Sequence, residues 1–194
     1  MIDFVHTLAF KGMNLIPSAT SGTAVQLWIL ARFIQAMAFL LAPLFLTRSV
    51  RVHWIVGIWG LISIAGIADI MLGGWFPVCF IEGVGLTSFK KISEIVIILI
   101  LAGSAIHLSL LRNKIDQSFY INFMVAIFLS ILSEGAFTGY VAFTDAINWV
   151  GHTFKFFAFF LLYAAIVSNG LRRPVEVLAR DVFLKVTDLD EATE

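Results

Sequence analysis

Each of the five long apolar runs in this sequence has a charged residue in its interior. These residues are Arg32, Asp69, Glu94, Glu134 and Lys155, and His152 lies three positions before the last of them. A charge inside a run long enough to cross a bilayer costs at least about 2.5 kcal/mol unless it is paired or hydrated. Because three acids, an arginine and a lysine can largely neutralise one another, the pattern predicts that they converge in one polar layer.

Helical spacing places several of these charges on polar stripes. Separations of three and four residues put side chains on one face of a helix. The stripes are Trp28, Arg32 and Gln35; Ser130, Glu134 and Thr138; and Asn148, His152, Lys155 and Phe159. At 1.5 Å per residue from the predicted outer helix ends, the charged residues and His152 lie roughly 7 to 14 Å deep. The layer is therefore predicted in the outer half of the membrane.

Two interpretations of this layer are open. In the first, the charges form salt bridges between helices and hold the bundle together. In the second, they form a pocket for a small ligand or a proton, because salt bridges alone need not be concentrated in one leaflet. The candidate ligand-binding residues are Gln26, Arg32, Asp69, Lys90, Glu94, Glu134, His152 and Lys155. Histidine can titrate near neutral pH, so His152 is compatible with a pH-sensing role.

The composition indicates an integral membrane protein. Of 194 residues, 60% are hydrophobic and 13% are charged, and the mean hydropathy of +0.95 exceeds what a water-soluble domain tolerates. The formal net charge is zero, which argues against nucleic acid as a partner. The single cysteine, Cys79, cannot form an intrachain disulfide. The sequence contains no nucleophile elbow, phosphate loop or HExxH pattern, so no enzymatic activity is predicted.

The elements that must position the charges are five apolar runs, each near the ~20 residues that span a bilayer. They are Thr23–Thr47, Trp54–Phe76, Phe89–Leu111, Phe119–Phe143 and Ile147–Gly170. Their connections are short, so sequential neighbours should pack antiparallel. The predicted fold is an all-α membrane protein, an antiparallel bundle of about five transmembrane helices over residues 23–170. A short surface segment, residues 1–22, precedes it, and a cytoplasmic amphipathic helix, residues 171–194, follows.

Basic residues near the helix ends predict the orientation, because lysine and arginine favour the cytoplasmic side. Arg48, Arg51, Arg112, Lys114, Arg172 and Arg173 fall on one side, against Lys11, Lys90 and Lys91 on the other. The amino-terminal segment and the turn at Asp145 are thus predicted outside, and the C-terminal tail inside the cell. Pro174 suits the start of a helix in that tail, which is either a solvated end or a signalling stem.

The segment Pro77–Glu94, here called the lid segment, is the longest interruption between the apolar runs. Its GVGLT sequence is flexible enough to fold over a pocket, and Lys90 and Lys91 are expected at the outer interface. Glu94 then returns the chain to the polar layer. The lid segment is therefore predicted to form the roof and one wall of the site.

The main alternative function is a small haem- or quinone-binding redox protein, or a transporter, in which the same charges form a proton path. His53 and His107 could bracket a haem, but paired axial histidines need inward faces at similar depth. His53 fits an interfacial position beside Trp54 better. Transport is disfavoured because the charges stop in the outer half, and no cofactor is predicted.

Five separated motifs carry a family resemblance. They are HTLAFKGMNLI (6–16), AVQLWILARFIQAMAFLLAP (24–43), FPVCFIEGVGLTSFKKISEIVI (76–97), ILSEGAFTGY (131–140) and NWVGHTFKFFAFFLLYAAI (148–166). Together they resemble the third type of membrane-associated sensor domain of bacteria, nearly collinearly from His6 to Pro174. Arg32, Glu94, Glu134, His152 and Lys155 fall at motif positions.

The resemblance implies a sensory input domain in the bacterial inner membrane that works as a homodimer and shifts its exit helix in response to an unidentified stimulus. Members of this family lie upstream of PAS, diguanylate cyclase (GGDEF) or histidine kinase modules. They usually carry further membrane helices before the HTLAFKGM motif. By this resemblance, residues 1–22 are expected to be the remnant of a truncated family helix.

Overall fold

A computed structural model describes residues 1–13, 15–47, 51–139 and 146–167. Its helices are α1 (Ile2–Ala9), α2 (Ser21–Thr47), α3 (Val52–Met71), α4 (Ser88–Leu110), α5 (Gln117–Gly139) and α6 (Ala146–Val167). Two short strands, β1 (Phe80–Ile81) and β2 (Gly85–Leu86), separate α3 from α4, and a 3-10 turn at Arg112–Lys114 follows α4. Within these residues, α2 to α6 are long and apolar enough to cross a membrane. The predicted all-α membrane bundle is confirmed.

The bundle is built around α4, which packs between α2 and α5, while α6 packs on α5. Helix α4 runs antiparallel to α5, since Lys90 contacts Phe137 and Ser109 contacts Tyr120. The main apolar core lies where α2, α4 and α5 meet. It includes Ala36, Phe39, Ile97, Leu101, Phe123 and Ile127. The lid end, as used below, is the end of the bundle where the lid segment lies.

Helix α3 lies at the edge of the bundle and packs mainly against α2. The approach is close at Gly66, where an added Cβ would come within 2.6 Å of the Leu30 side chain. Much of the remaining surface of α3 is exposed and apolar, including Val56, Leu61 and Ile64. Such a surface suits contact with lipid, as expected for a helix in a bilayer.

The amino-terminal helix α1 packs antiparallel along α2, with His6 beside Ala24 and Asp3 beside Arg32. Its expected position at the membrane surface stays a prediction. The apolar residues Ile2 and Ala9 are buried in this contact. The reason is the charge on Arg32: a buried guanidinium needs an anion, and Asp3 supplies one from a neighbouring helix.

The lid segment folds as a β-hairpin followed by the first turns of α4. Phe80 pairs with Leu86 and Ile81 with Gly85, and positive φ angles of 80° at Gly83 and 101° at Gly85 make the turn possible. The hairpin packs against the start of α2, where Phe80 and Phe76 join a cluster with Val25 and Ile29. At its tip, Glu82 forms an exposed 2.9 Å salt bridge with Lys11.

Cys79 enters the bundle just before the hairpin. Its side chain is fully buried in the same cluster, and its thiol lies 3.5 Å from the Pro77 carbonyl oxygen. Burial raises the pKa of the Cys79 thiol to about 12, and Lys90 opposes that rise only in part. The thiol is therefore protonated at neutral pH, as expected for an apolar filling residue.

Some sequence predictions fall on residues outside those described. They are the amphipathic helix at residues 171–194, the turn at Asp145, and the contributions of Arg48, Arg172 and Arg173 to the orientation. These remain predictions.

Candidate functional site

A cluster of one acid and two cations forms where α1, α2 and α6 meet. The Asp3 carboxylate lies 2.5 Å from an Arg32 Nη and accepts a 3.0 Å hydrogen bond from Lys155 Nζ. Arg32 also donates to Gln35 on its own helix. The guanidinium is 2% exposed, whereas Asp3 keeps 45% of its side chain exposed. We call Asp3, Arg32 and Lys155 the ion cluster.

The two cations hold the Asp3 carboxyl in its charged form. Partial burial raises the pKa of Asp3, but Arg32 and Lys155 outweigh it and bring the pKa down to about 2. A depressed pKa means that this contribution to stability is fully present above the unfolded value near 3.9. It is lost only as the pH falls towards 2, so Asp3 is an anion throughout the physiological range.

Trp28 lies against both cations of the ion cluster. Lys155 Nζ is 3.9 Å and the Arg32 guanidinium carbon 4.7 Å from the Trp28 ring centroid, both within the range of cation–π attraction. The Trp28 ring also packs edge-on against Phe137 and His152, with centroid distances of 4.6 and 5.6 Å. Trp28 therefore joins α2, α5 and α6 at one point.

A second ion pair lies between α4 and α5. Lys90 and Glu94 are 2.6 Å apart, one turn apart on α4, and neither side chain is more than 1% exposed. Lys90 Nζ also donates to the Phe137 carbonyl oxygen at 2.5 Å. Thr87 caps the helix by accepting a hydrogen bond from the Lys90 amide. Lys90 was expected at the outer interface, but it is buried because its helix phase points it at α5, and Lys91 is the exposed lysine.

Glu134 on α5 lies near both the ion cluster and the Lys90–Glu94 pair. It is 3% exposed and within Coulombic range of Arg32, Lys155 and Lys90. Its Oε2 atom has no hydrogen-bond partner among the described residues. Counting Asp3, Glu94 and Glu134 against Arg32, Lys90 and Lys155, the region holds three anions and three cations when all are charged.

A cavity of about 380 Å³ lies on the lid-end side of Trp28. Helix α1 and the turn after it supply His6, Thr7, Phe10 and Met13; α2 supplies Ala24, Val25 and Trp28; α5 supplies Phe137; and α6 supplies Asn148, Trp149 and His152. We call it the outer cavity, after the predicted orientation of the lid end. Of the eight ligand-binding candidates, the outer cavity is lined by His152 alone among the described residues.

His6 has a defined hydrogen-bonding role in this cavity. Its Nδ1 lies 2.7 Å from the Ala24 carbonyl oxygen, which can only accept, so Nδ1 carries the proton. Burial lowers the pKa of His6, which the bond to Ala24 only partly offsets, so the ring is neutral at pH 7. A neutral ring protonated at Nδ1 has an acceptor lone pair at Nε2.

The other candidates have different places. Arg32, Glu94, Glu134, Lys155 and Lys90 come together in the charged region just described. Asp69 lies in the last turn of α3, and its carboxylate accepts from the backbone amides of Trp75 and Phe76 at 3.0 and 2.9 Å. Gln26 donates to the Phe76 and Pro77 carbonyl oxygens. Asp69 and Gln26 therefore hold the chain in place where the lid segment begins. In the described part of the chain, no residue of the lid segment lines the outer cavity, so the lid segment is neither the roof nor a wall of that cavity.

Asp3 and His6 were not among the residues predicted for the site. Both lie in the segment that was expected at the surface, so neither was weighed as a partner for a buried charge. A signal was available, because spacings of three and four residues put Asp3, His6 and Phe10 on one face of a short helix. The three acids, one arginine and one lysine considered in the spans gave no indication that a further acid would come from outside them.

The histidines considered for haem have other contacts. His107 lies on α4, and its Nδ1 is 3.0 Å from the Leu40 carbonyl oxygen of α2. His53 is exposed at the start of α3 beside Trp54. Within the described residues, no group of three or more His, Cys, Asp or Glu is placed to hold a metal ion.

The geometry defines a class: a multi-pass helical membrane protein with paired charges enclosed between its helices and a cavity at the lid end. The chain matches the MASE3 family, described as a membrane-associated sensor domain, over residues 1–174, and it belongs to that family. No curated protein and no solved structure matches it. The resemblance inferred from the sequence motifs is confirmed, and the chain is a membrane sensor domain.

Proposed function

We propose that this domain is a non-catalytic signal-input unit that binds a small molecule in the outer cavity. Occupancy would change the position of Trp28, and with it the ion cluster on the other side of the ring. The change would pass along α6 to residues 171–194 and then to an output module. The domain would lie in a bacterial inner membrane as a homodimer, with its C-terminus in the cytoplasm.

One observation carries the proposal: the same indole ring lines the outer cavity and lies 3.9 Å from Lys155 Nζ. A ligand that displaces the ring must alter a cation–π contact with a lysine on α6. That lysine shares the Asp3 carboxylate with Arg32 on α2. The ligand would therefore bind two arrangements of α1, α2 and α6 unequally, which is the condition for transmitting a signal.

The charged residues have a different role from the one expected from the sequence. Arg32, Lys90, Glu94, Glu134 and Lys155 were expected to contact the ligand, and we now propose that they couple the helices. Mutually compensated charges can exchange partners without leaving a charge unpaired. The salt-bridge interpretation of the polar layer is then kept, and the ligand pocket is moved to the outer cavity beside it.

A variant that fills the outer cavity tests the proposal. In a fusion of the chain to a diguanylate cyclase, Thr7→Trp is expected to change basal cyclic dinucleotide output by about fivefold or more, the lower range of allosteric coupling. Thr7 lines the cavity but is itself exposed, so the indole can enter without creating strain in the core. Output is measured in membranes after confirming equal insertion.

Thr153→Trp is the matched control. Thr153 is also exposed on a helix, and its hydroxyl donates at 2.9 Å to the carbonyl four residues earlier, as the hydroxyl of Thr7 does. It does not line the outer cavity. Equal output from Thr7→Trp, Thr153→Trp and the unchanged fusion would rule out the cavity as the input site.

A further inference from the structure

We propose that the ligand of the outer cavity is a neutral aromatic compound with a hydroxyl group, of the phenol or hydroquinone class, taken up from the membrane interface. The inference rests on the proposed function and names the ligand class of the same site. Four features of the cavity support it: its walls, its lack of charge, a fixed acceptor and its rim.

The walls of the outer cavity suit an aromatic ring. Phe10, Trp28, Phe137 and Trp149 line it, and Trp28 and Phe137 already pack edge-to-face at 73°. A further ring can join such a cluster in the same geometry. The volume of about 380 Å³ lies near the lower end of the range of roughly 300 to 1,000 Å³ for small-molecule sites. The ligand is therefore small.

The charge of the cavity favours a neutral ligand. None of the lining side chains within the described residues is an aspartate, glutamate, lysine or arginine. The nearby cations, Arg32 and Lys155, lie against Trp28 and are already paired with Asp3. A charged ligand would lose its hydration without gaining a partner of opposite charge, which is unfavourable.

The Nε2 atom of His6 is an acceptor with a fixed position, and a ligand with a hydrogen-bond donor would match it. Because the Nδ1 proton of His6 is used by the Ala24 carbonyl, Nε2 can only accept, and it has no partner in the described part of the chain. A phenolic hydroxyl donates to such a nitrogen and can accept a hydrogen bond in return. His152 lines the same cavity and is a neighbour that can donate to the hydroxyl oxygen.

The rim of the cavity indicates how the ligand enters. Trp149 and Met13 are 69% and 49% exposed, and Trp149 lies in the first turn of α6, where membrane helices carry interfacial tryptophans. A compound with an apolar ring and one polar group collects at the same depth for the same reason. The ligand therefore reaches the cavity from the interface.

A matched pair of probes tests the ligand class. We would titrate 4-propylphenol and its methyl ether, 4-propylanisole, into the full chain in lipid nanodiscs by calorimetry, and subtract the heat measured with empty nanodiscs. The phenol is expected to bind about tenfold more tightly, because only the phenol donates to His6 Nε2. His6→Phe is expected to abolish the difference, and His53→Phe, at an exposed histidine outside the cavity, to preserve it.

Equal affinity of the two probes for the unchanged chain, or no binding of either, would overturn the ligand class, and this result does not depend on whether a variant folds. It is separate from the proposed function. If Thr7→Trp changes output while the probes bind equally, the cavity remains the input site and only the ligand class fails. If Thr7→Trp leaves output unchanged, the proposed function fails whatever the probes do.

Discussion

Replacing Lys90 by methionine is expected to lower the free energy of unfolding by about 3 to 5 kcal/mol, the usual cost of removing one partner from a buried ion pair. The loss arises because Glu94, which is fully buried, would be left without the cation 2.6 Å away and would have to remain unpaired or take up a proton. The Phe137 carbonyl oxygen would also lose its 2.5 Å donor. The measurement is reversible unfolding in mixed micelles.

The neighbouring lysine provides a close control. Lys91→Met makes the same chemical change one residue along α4, at an exposed position, and should alter stability by less than about 1 kcal/mol. Adding Glu94→Gln to Lys90→Met should recover part of the loss, because the uncompensated charge is then removed. Equal destabilisation by Lys90→Met and Lys91→Met would contradict the burial of this ion pair.

Arg32→Ala is expected to uncouple the domain while leaving membrane insertion intact. Arg32 is the member of the ion cluster that contacts Asp3, Gln35 and the Trp28 ring together. Without it, Lys155 alone holds Asp3, and Glu134 loses its strongest nearby cation. In the cyclase fusion, basal output should move by about fivefold or more.

Lys11→Ala is the control for this variant. It also removes a basic residue from a salt bridge, but the Lys11–Glu82 pair is exposed, with side chains 67% and 63% accessible. Exposed pairs contribute only about 0 to 1 kcal/mol, so output should not change. Normal output from Arg32→Ala would show that the ion cluster is structural and takes no part in signalling.

Much of the fold was predictable because hydropathy alone specifies membrane helices. The predicted span Phe89–Leu111 differs from α4 by one residue at each end. Within the described residues, the largest disagreement is at the end of α3, which stops at Met71 rather than near Phe76. There, the Asp69 carboxylate accepts hydrogen bonds from the backbone amides of Trp75 and Phe76, which follow the helix. The sequence alone does not distinguish a carboxylate that caps the end of a helix from one that is buried within it.

The site was predictable only in part, because pairing depends on which helices meet. Arg32, Glu94, Glu134 and Lys155 were recognised as buried charges, since their positions deep in apolar runs require partners. Lys90 and Lys91 are the same residue type and adjacent, so only the rotation of about 100° between neighbouring helical residues decides which one is buried. The packing of α1 against α2 adds Asp3 to the cluster, and no periodicity within the spans indicates that contact.

The central claim is that the outer cavity and the ion cluster act on each other through Trp28. A double-mutant cycle on output from the cyclase fusion tests it directly, using Thr7→Trp to fill the cavity and Lys155→Met to remove the cation over the ring. We predict that the combined effect departs from the sum by about 0.5 to 3 kcal/mol, as for physically coupled positions. A parallel cycle of Thr7→Trp with Lys91→Met should be additive, and additivity in both cycles would contradict the account.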